Sequence, residues 1–162
     1  SDLRLTDVLL ERCDLAGAGA RSARLRRVHL QGCRLTGALF GHGQLEDVRF
    51  TDCRMDVAGL GAARMSRVVL EDCVLTEADL QDTELRHVHL ERCDLRGADL
   101  TGARLHAVSL RGCTLDDVRG AAALRGVTMH WADVTGAAVT LARALDIVDV
   151  DDEDDGAMPR PT

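Results

Sequence analysis

Cysteine and histidine are the side chains whose spacing bears most directly on chemistry. Cysteine occurs only at 13, 33, 53, 73, 93 and 113, always 20 residues apart. Six is an even number and would suit a disulfide framework in a small secreted domain. The fixed step argues otherwise. If the chain coils every 20 residues, the six thiols stack as a ladder on one side, with parallel side chains about 4.8 Å apart. A disulfide needs Cβ atoms about 3.5–4.5 Å apart and aimed at each other, and a straight ladder cannot converge on a tetrahedral metal. The cysteines therefore read as small apolar core groups, and reduced thiols fit a cytoplasmic protein. The six histidines are at 29, 42, 87, 89, 106 and 130. His87 and His89 straddle a corner with Glu91 following, so a surface metal site and solvated surface histidines are both readings of that trio. No Ser/His/Asp or Cys/His grouping is defensible with Cys inward and His outward, and there is no Gly-rich phosphate loop. Neither catalysis nor a cofactor is expected.

The element that must position these residues is a five-residue repeat. In fives from Leu3 the chain runs LRLTD, VLLER, CDLAG, AGARS, ARLRR, VHLQG, to CTLDD at 113–117 and VRGAA at 118–122. The central position, at 5, 10, 15 and on to 120, is Leu, Met or Phe at 22 of 24 places, the exceptions being Ala20 and Gly120. The residue two earlier is small or β-branched almost throughout. On a helix a five-residue step turns about 140°, so the Leu series would spiral over every face. On a straight strand an odd period would alternate faces. Only a chain that turns a corner every five residues keeps both positions inward. The Cys step, and Val at 8, 28, 48, 68, 88 and 108, make four fives one coil. Six coils at about 4.8 Å give a rod about 29 Å long. Such a narrow interior suits a chain of 162 residues that is 46% hydrophobic but only 2% aromatic.

The fives ADLQD (78–82), CDLRG (93–97) and ADLTG (98–102) resemble the pentapeptide-repeat family, whose consensus is A(D/N)LxX. The resemblance covers about 115 of the 162 residues. It implies an all-β solenoid, a right-handed quadrilateral parallel β-helix of about six coils with a short C-terminal α-helical cap. The chain departs from the consensus in holding Asp in its slot only at 14, 79, 94 and 99, with Arg common elsewhere. The expected domains are the repeat β-helix at 1–122, a cap at 123–148 with a helix at about 131–145, and an acidic, disordered tail at 149–162. In the cap, Val134, Ala138, Leu141 and Leu145 fall on one helical stripe, and with Trp131 and Ile147 they are expected to cover the last coil. Helical ends in the family also serve as dimer interfaces, so the resemblance implies a homodimer through Trp131, Val134, Leu141 and Leu145. The first coil shows no comparable cap; it is truncated, covered by other sequence, or a pairing edge.

Charge points to partners. The formal net charge is −7, from 27 acids and 20 basic residues, all of them Arg. Residues 1–120 hold 19 acids and 17 Arg, net −2, whereas 121–162 hold 8 acids and 3 Arg. The acidity belongs to the tail. By side, the Cys side carries Asp14, Asp56, Glu77, Asp94, Asp116 and Asp117 against three Arg. The opposite side carries Arg4, Arg24, Arg26, Arg27, Arg64, Arg67, Arg86 and Arg104 against four acids, net +4. One reading of the basic side is a solvated face with cross-coil pairs such as Arg26 beside Glu46; the other is a strip for an acidic protein surface. Direct nucleic-acid binding is not expected, because the overall charge repels it and no aromatics interleave. No segment is long and apolar enough to span a bilayer. The expected function is a non-catalytic scaffold that binds another protein through its faces. The alternative, implied by the resemblance, is a DNA-mimicking modulator of gyrase or topoisomerase that protects against quinolones.

Overall fold

The structure is a computed structural model that describes residues 3–150. Five long strands open the chain: β1 (Arg4–Glu11), β2 (Arg24–Gln31), β3 (Gln44–Thr51), β4 (Arg64–Glu71) and β5 (Glu84–Glu91). In the sixth coil the equivalent strand splits into β6 (Arg104–His106) and β7 (Ser109–Arg111). Every neighbouring pair is parallel and in register at 20 residues, with Leu5 beside Leu25 and Val8 beside Val28. Each long strand covers two sides of the coil and bends between them. The other two sides pair through single bridges, Asp14–Arg34–Arg54–Val74–Asp94–Thr114 and Gly19–Leu39–Gly59–Asp79–Asp99–Arg119. The result is a parallel β-solenoid of about six coils with a small C-terminal helical part.

The interior is the stacked central and preceding positions of the repeat. Leu25, Val28, Leu30, Cys33 and Leu35 of the second coil are each 2% exposed or less, and the same columns continue through Leu85, Val88 and Leu90. No buried side-chain polar atom among the described residues lacks a partner, as expected where a dry interior admits few polar groups.

The corners have a uniform construction. Every fifth residue from Asp7 to Asp117 has a positive φ, between 49° and 72°. Six of these are glycine, and the others include Arg27, Asp47, Val57, His87 and Ala107. A left-handed residue reverses the pleat locally, so the chain turns while the next pair of apolar side chains still faces in. The coil-to-coil ladder holds non-glycine residues there despite a local cost of about 1–2 kcal/mol each.

The repeat stops at Gly120, which occupies a central position in the left-handed region, φ 67°. A Cβ there would collide with the backbone of Leu100 and Thr101. A one-turn 3-10 helix, Ala121–Leu124, follows and buries Ala121 and Leu124 on the coil end. β8 (Thr128–Met129) then adds a last rung to β7. The cap differs from the expected single helix at about 131–145. It is two short helices, α1 (Trp131–Gly136) and α2 (Ala138–Ala144), broken at Ala137. The break shifts the phase of the inward stripe. Ala137 and Thr140 are buried, Leu141 and Ala144 partly so, while Ala138 and Leu145 face solvent. Trp131 is 84% exposed and Ile147 58%, so neither covers the coil as expected. The expected disordered tail lies, beyond its first two residues, outside the described residues.

Candidate functional site

Each part of the surface is held by residues on neighbouring coils. The four consensus Asp residues show how. Asp14, Asp79, Asp94 and Asp99 each accept, through Oδ1, the backbone N–H two residues on, from Ala16, Gln81, Arg96 and Thr101 at 2.9–3.1 Å. That local turn satisfies an N–H the coil ladder leaves over and sets the start of the corner. Asp99 is the one buried member, and its Oδ2 also accepts from Gln81 Nε2 at 2.7 Å. The Thr101 hydroxyl and N–H, with Gln81 and Arg119, hold its carboxyl below the usual range.

The cysteines do form the expected inward ladder. All six are free, four buried and Cys13 and Cys113 at the two ends partly so. Each thiol from Cys33 onward donates to a carbonyl 23 residues back, Cys33 to Leu10 at 3.3 Å and Cys93 to Leu70 at 3.3 Å. Burial pushes the Cys33 thiol up. Hydrogen bonding to Cys53 and Cys93, together with burial, does the same at Cys73. Such thiols are poor nucleophiles. The histidine trio does not come together. His87 lies edge-on to His106, with ring centroids 6.1 Å apart. His89 Nδ1 meets Ser109 Oγ at 2.5 Å, and Glu91 pairs with Arg92 at 2.7 Å. Among the described residues no three His, Cys, Asp or Glu side chains are grouped to hold a metal.

On the basic side most arginines are tied to carboxylates. Arg27 pairs with Asp7 at 2.5 Å, and Arg67 with both Asp47 and Glu46 at 2.7 Å. Glu46 therefore pairs with Arg67 of the following coil, next to its register neighbour Ser66, and not with Arg26 of the preceding coil. Arg64, Arg86 and Arg104 surround Glu84 at 3.7, 2.9 and 3.9 Å. These contacts hold the carboxyls of Asp7, Asp47 and Glu84 below their usual range, with the arginine hydrogen bond the leading cause each time. Arg24 makes no ion pair among the described residues, and Arg26 acts on Asp7 and Asp47 through its field. On the Cys side Asp14 pairs with Arg34 at 3.2 Å, Asp94 with Arg96 at 2.5 Å, and Asp117 with Arg143 of α2 at 3.2 Å. Asp56 accepts from Thr36 Oγ1 at 2.8 Å, while Glu77 and Asp116 are exposed.

Sorting charge by side misses a second pattern, along the axis. The second coil, residues 23–42, has four Arg (24, 26, 27 and 34) and no acid, whereas the third and fourth coils, 43–82, have nine acids and four Arg. The rod thus carries a positive collar beside a negative middle. Counting by 20-residue blocks would have found it. Thr140 was also missed: its buried hydroxyl donates to Leu115 O at 2.8 Å and anchors α2 on the sixth coil. Nothing in a lone Thr on a helix announces that contact. At the same end, Leu124, Val127, Met129, Trp131, Val134 and Leu141 line a shallow recess of about 270 Å³. No helix among the described residues is long and apolar enough to cross a membrane.

Two family models agree with the repeat. Residues 4–41 match the family model for pentapeptide repeats (8 copies), and residues 45–119 match that for a pentapeptide repeat region. No curated protein matches the chain. Among solved structures it is similar to a trypsin-treated variant of QnrB1, a plasmid-mediated fluoroquinolone resistance protein. That match has 14% identity, covers 92% of this chain and 98% of that one, and has a TM-score of 0.37. Rfr23 from the cyanobacterium Cyanothece 51142 matches at 19% identity over 80% and 85%, TM-score 0.27. HetL from Nostoc, a pentapeptide repeat protein involved in heterocyst differentiation regulation, matches at 18% over 78% and 89%, TM-score 0.26. With two models of one family spanning most of the solenoid, and with its five-residue step realised as left-handed corners and stacked Leu columns, the chain belongs to the pentapeptide-repeat family.

Proposed function

We propose that the protein is a non-catalytic scaffold that docks another protein against the sides of its solenoid, in the cytoplasm and without a cofactor. The observation that carries this reading is the fixed charge pattern on a regular rod. Outward side chains stand in columns at the strand spacing, and cross-coil Arg–carboxylate pairs hold them. Ordered side chains lose little entropy on binding, which favours recognition by a complementary charged surface. The basic collar, chiefly Arg24 and Arg26, would face acids on the partner. In a pull-down from the native host, Arg24→Glu with Arg26→Glu should lose the partner that the parent chain retains, with the melting temperature unchanged. Retention of every captured protein removes the collar as the docking site.

A second reading is gyrase or topoisomerase modulation by DNA mimicry, for which the acidic third and fourth coils are the supporting feature. A mimic presents negative charge along the path a duplex would take, and the collar interrupts it. A supercoiling assay at micromolar protein decides this: no inhibition and no protection from a quinolone removes it. Homodimerisation through the cap belongs to the same proposal, with Trp131, Val134, Leu141 and the exposed Leu145 as its contacts. Leu145→Asp should then separate the subunits.

A further inference from the structure

In the fourth to sixth coils Met65, Leu85 and Leu105 pack on the core, so the residues flanking each of them on its strand face outward. The in-register ladder then stands Arg64 and Arg104 on opposite sides of Glu84, and Ser66 and His106 on opposite sides of Arg86. Arg86 Nε donates to Glu84 Oε1 at 2.9 Å, with its Nη2 equally close. Arg64 Nε and Arg104 Nη2 approach the other oxygen, Oε2, only to 3.7 and 3.9 Å, beyond hydrogen-bond reach. Neither of these two guanidinium groups makes a hydrogen bond among the described residues. One carboxylate thus faces three guanidinium groups and leaves two positive charges in excess. Two shallow recesses of about 330 and 340 Å³ meet there and share Glu84 and Arg86, with His106 lining the second. Glu46, the other acid along them, is engaged by Arg67 at 2.7 Å.

We infer that Arg64, Arg86 and Arg104 bind a phosphoserine or phosphothreonine side chain of a protein docked on the solenoid. The inference rests on the docking reading above and supplies the chemistry of one contact, at a place distinct from the collar. Three features select this group. The unused donors of Arg64 and Arg104 converge on one atom, Glu84 Oε2, so they suit one compact anion better than two carboxylates carried on separate side chains. A phosphomonoester brings about −1.5 to −2 of charge and three acceptor oxygens, which matches the excess of two positive charges. A carboxylate or a phosphodiester brings only one negative charge. Guanidinium groups also present paired N–H donors whose spacing fits phosphate oxygens. The openness of the site identifies the carrier. All three arginines are exposed, whereas sites for small free ligands enclose most of the ligand surface. The remainder of this ligand is therefore held by contacts elsewhere, as a protein partner provides.

The test is a titration of the 162-residue chain, followed through the side-chain Nε–H NMR signals of Arg64, Arg86 and Arg104. The probes are a short blocked peptide of Gly and Ala with one central phosphoserine, the same peptide with Ser or Glu in its place, inorganic phosphate and diethyl phosphate. The phosphoserine peptide is expected to shift all three signals saturably, and the Ser peptide, the Glu peptide and diethyl phosphate to bind at least about tenfold more weakly. Arg104→Gln, an exposed change, should weaken the peptide about tenfold with the circular dichroism unchanged. Glu84→Gln removes the competing carboxylate and should tighten it. Arg49→Gln, at an arginine paired with Glu71 elsewhere on the rod, should leave it as it is. No saturation by about 10 mM peptide, equal binding of the Glu peptide or diethyl phosphate, or an equal loss from Arg49→Gln overturns the inference. Tighter binding of inorganic phosphate than of the peptide overturns the assignment to a protein-borne group. A partner retained from the host together with no peptide binding removes this inference and leaves the docking reading in place.

Discussion

At the residue scale, the corner position carries most of what is unusual in this chain. Val57 is a β-branched residue held at φ 50° and half exposed, so it bears left-handed strain without a compensating buried contact. Val57→Gly removes that strain and adds unfolded-state entropy, and the first effect is the larger. The expected result is a gain of about 0.5–1 kcal/mol in a denaturant titration. The cysteine ladder gives a second expectation. Only Cys13 and Cys113, at the two ends, leave the core, so a thiol reagent should modify two groups quickly in the folded protein and six after denaturation. Fast reaction of a third group would mean the middle coils open more readily than their burial implies.

At the element scale, the question is what ends the repeat. Gly120 replaces the central Leu, and its Cβ-free backbone lets the chain pass against Leu100 and Thr101 before the 3-10 turn. Gly120→Ala should cost about 2 kcal/mol or more, because backbone must shift on both sides of the contact. A neutral result would show that the last coil yields easily. The helical period at 131–145 was legible in the sequence; its break at Ala137 was not. Short helices take their phase from what they dock on, and α2 is docked by Thr140 on Leu115 and by Arg143 on Asp117. Removing the Thr140 hydroxyl as Thr140→Val leaves the Leu115 carbonyl short of a donor and should cost about 1–2 kcal/mol.

At the scale of the whole molecule, stability rests on continuity of the stacked core. Leu70 lies mid-rod and is 4% exposed. Leu70→Arg should cost several kcal/mol, and an unchanged melting temperature would contradict the stacked core. The cross-coil pairs give a pH signature. The carboxyls of Asp7, Asp47, Asp72, Glu84, Asp94 and Asp99 all sit below their ordinary values. A depressed folded-state pKa contributes fully above the unfolded value, about 4, and is lost as pH falls through the folded value. The melting temperature should therefore stay level from about pH 5 to 8 with respect to these groups and fall below about pH 4. The drop should be modest for the exposed pairs, which solvent screens. Asp99→Asn tests the buried member, and should lower stability at neutral pH and flatten the acid limb.

The coil follows from the residue pattern alone. A strict step of five with a superimposed step of 20 admits one periodic solution, because inward apolar positions recur only if the chain turns four corners per coil. That reasoning also placed the thiols inside and the histidines outside. Whatever depends on reach and direction was settled only by contacts in three dimensions. They set which Arg meets which carboxylate, as when Glu46 pairs with Arg67 on the following coil and not with Arg26 on the preceding one. They turn His87 and His89 to different neighbours, and leave Trp131 and Leu145 facing solvent. A repeat specifies backbone position to within a side chain's length, but long side chains and cap helices settle by contacts between coils that no single repeat encodes.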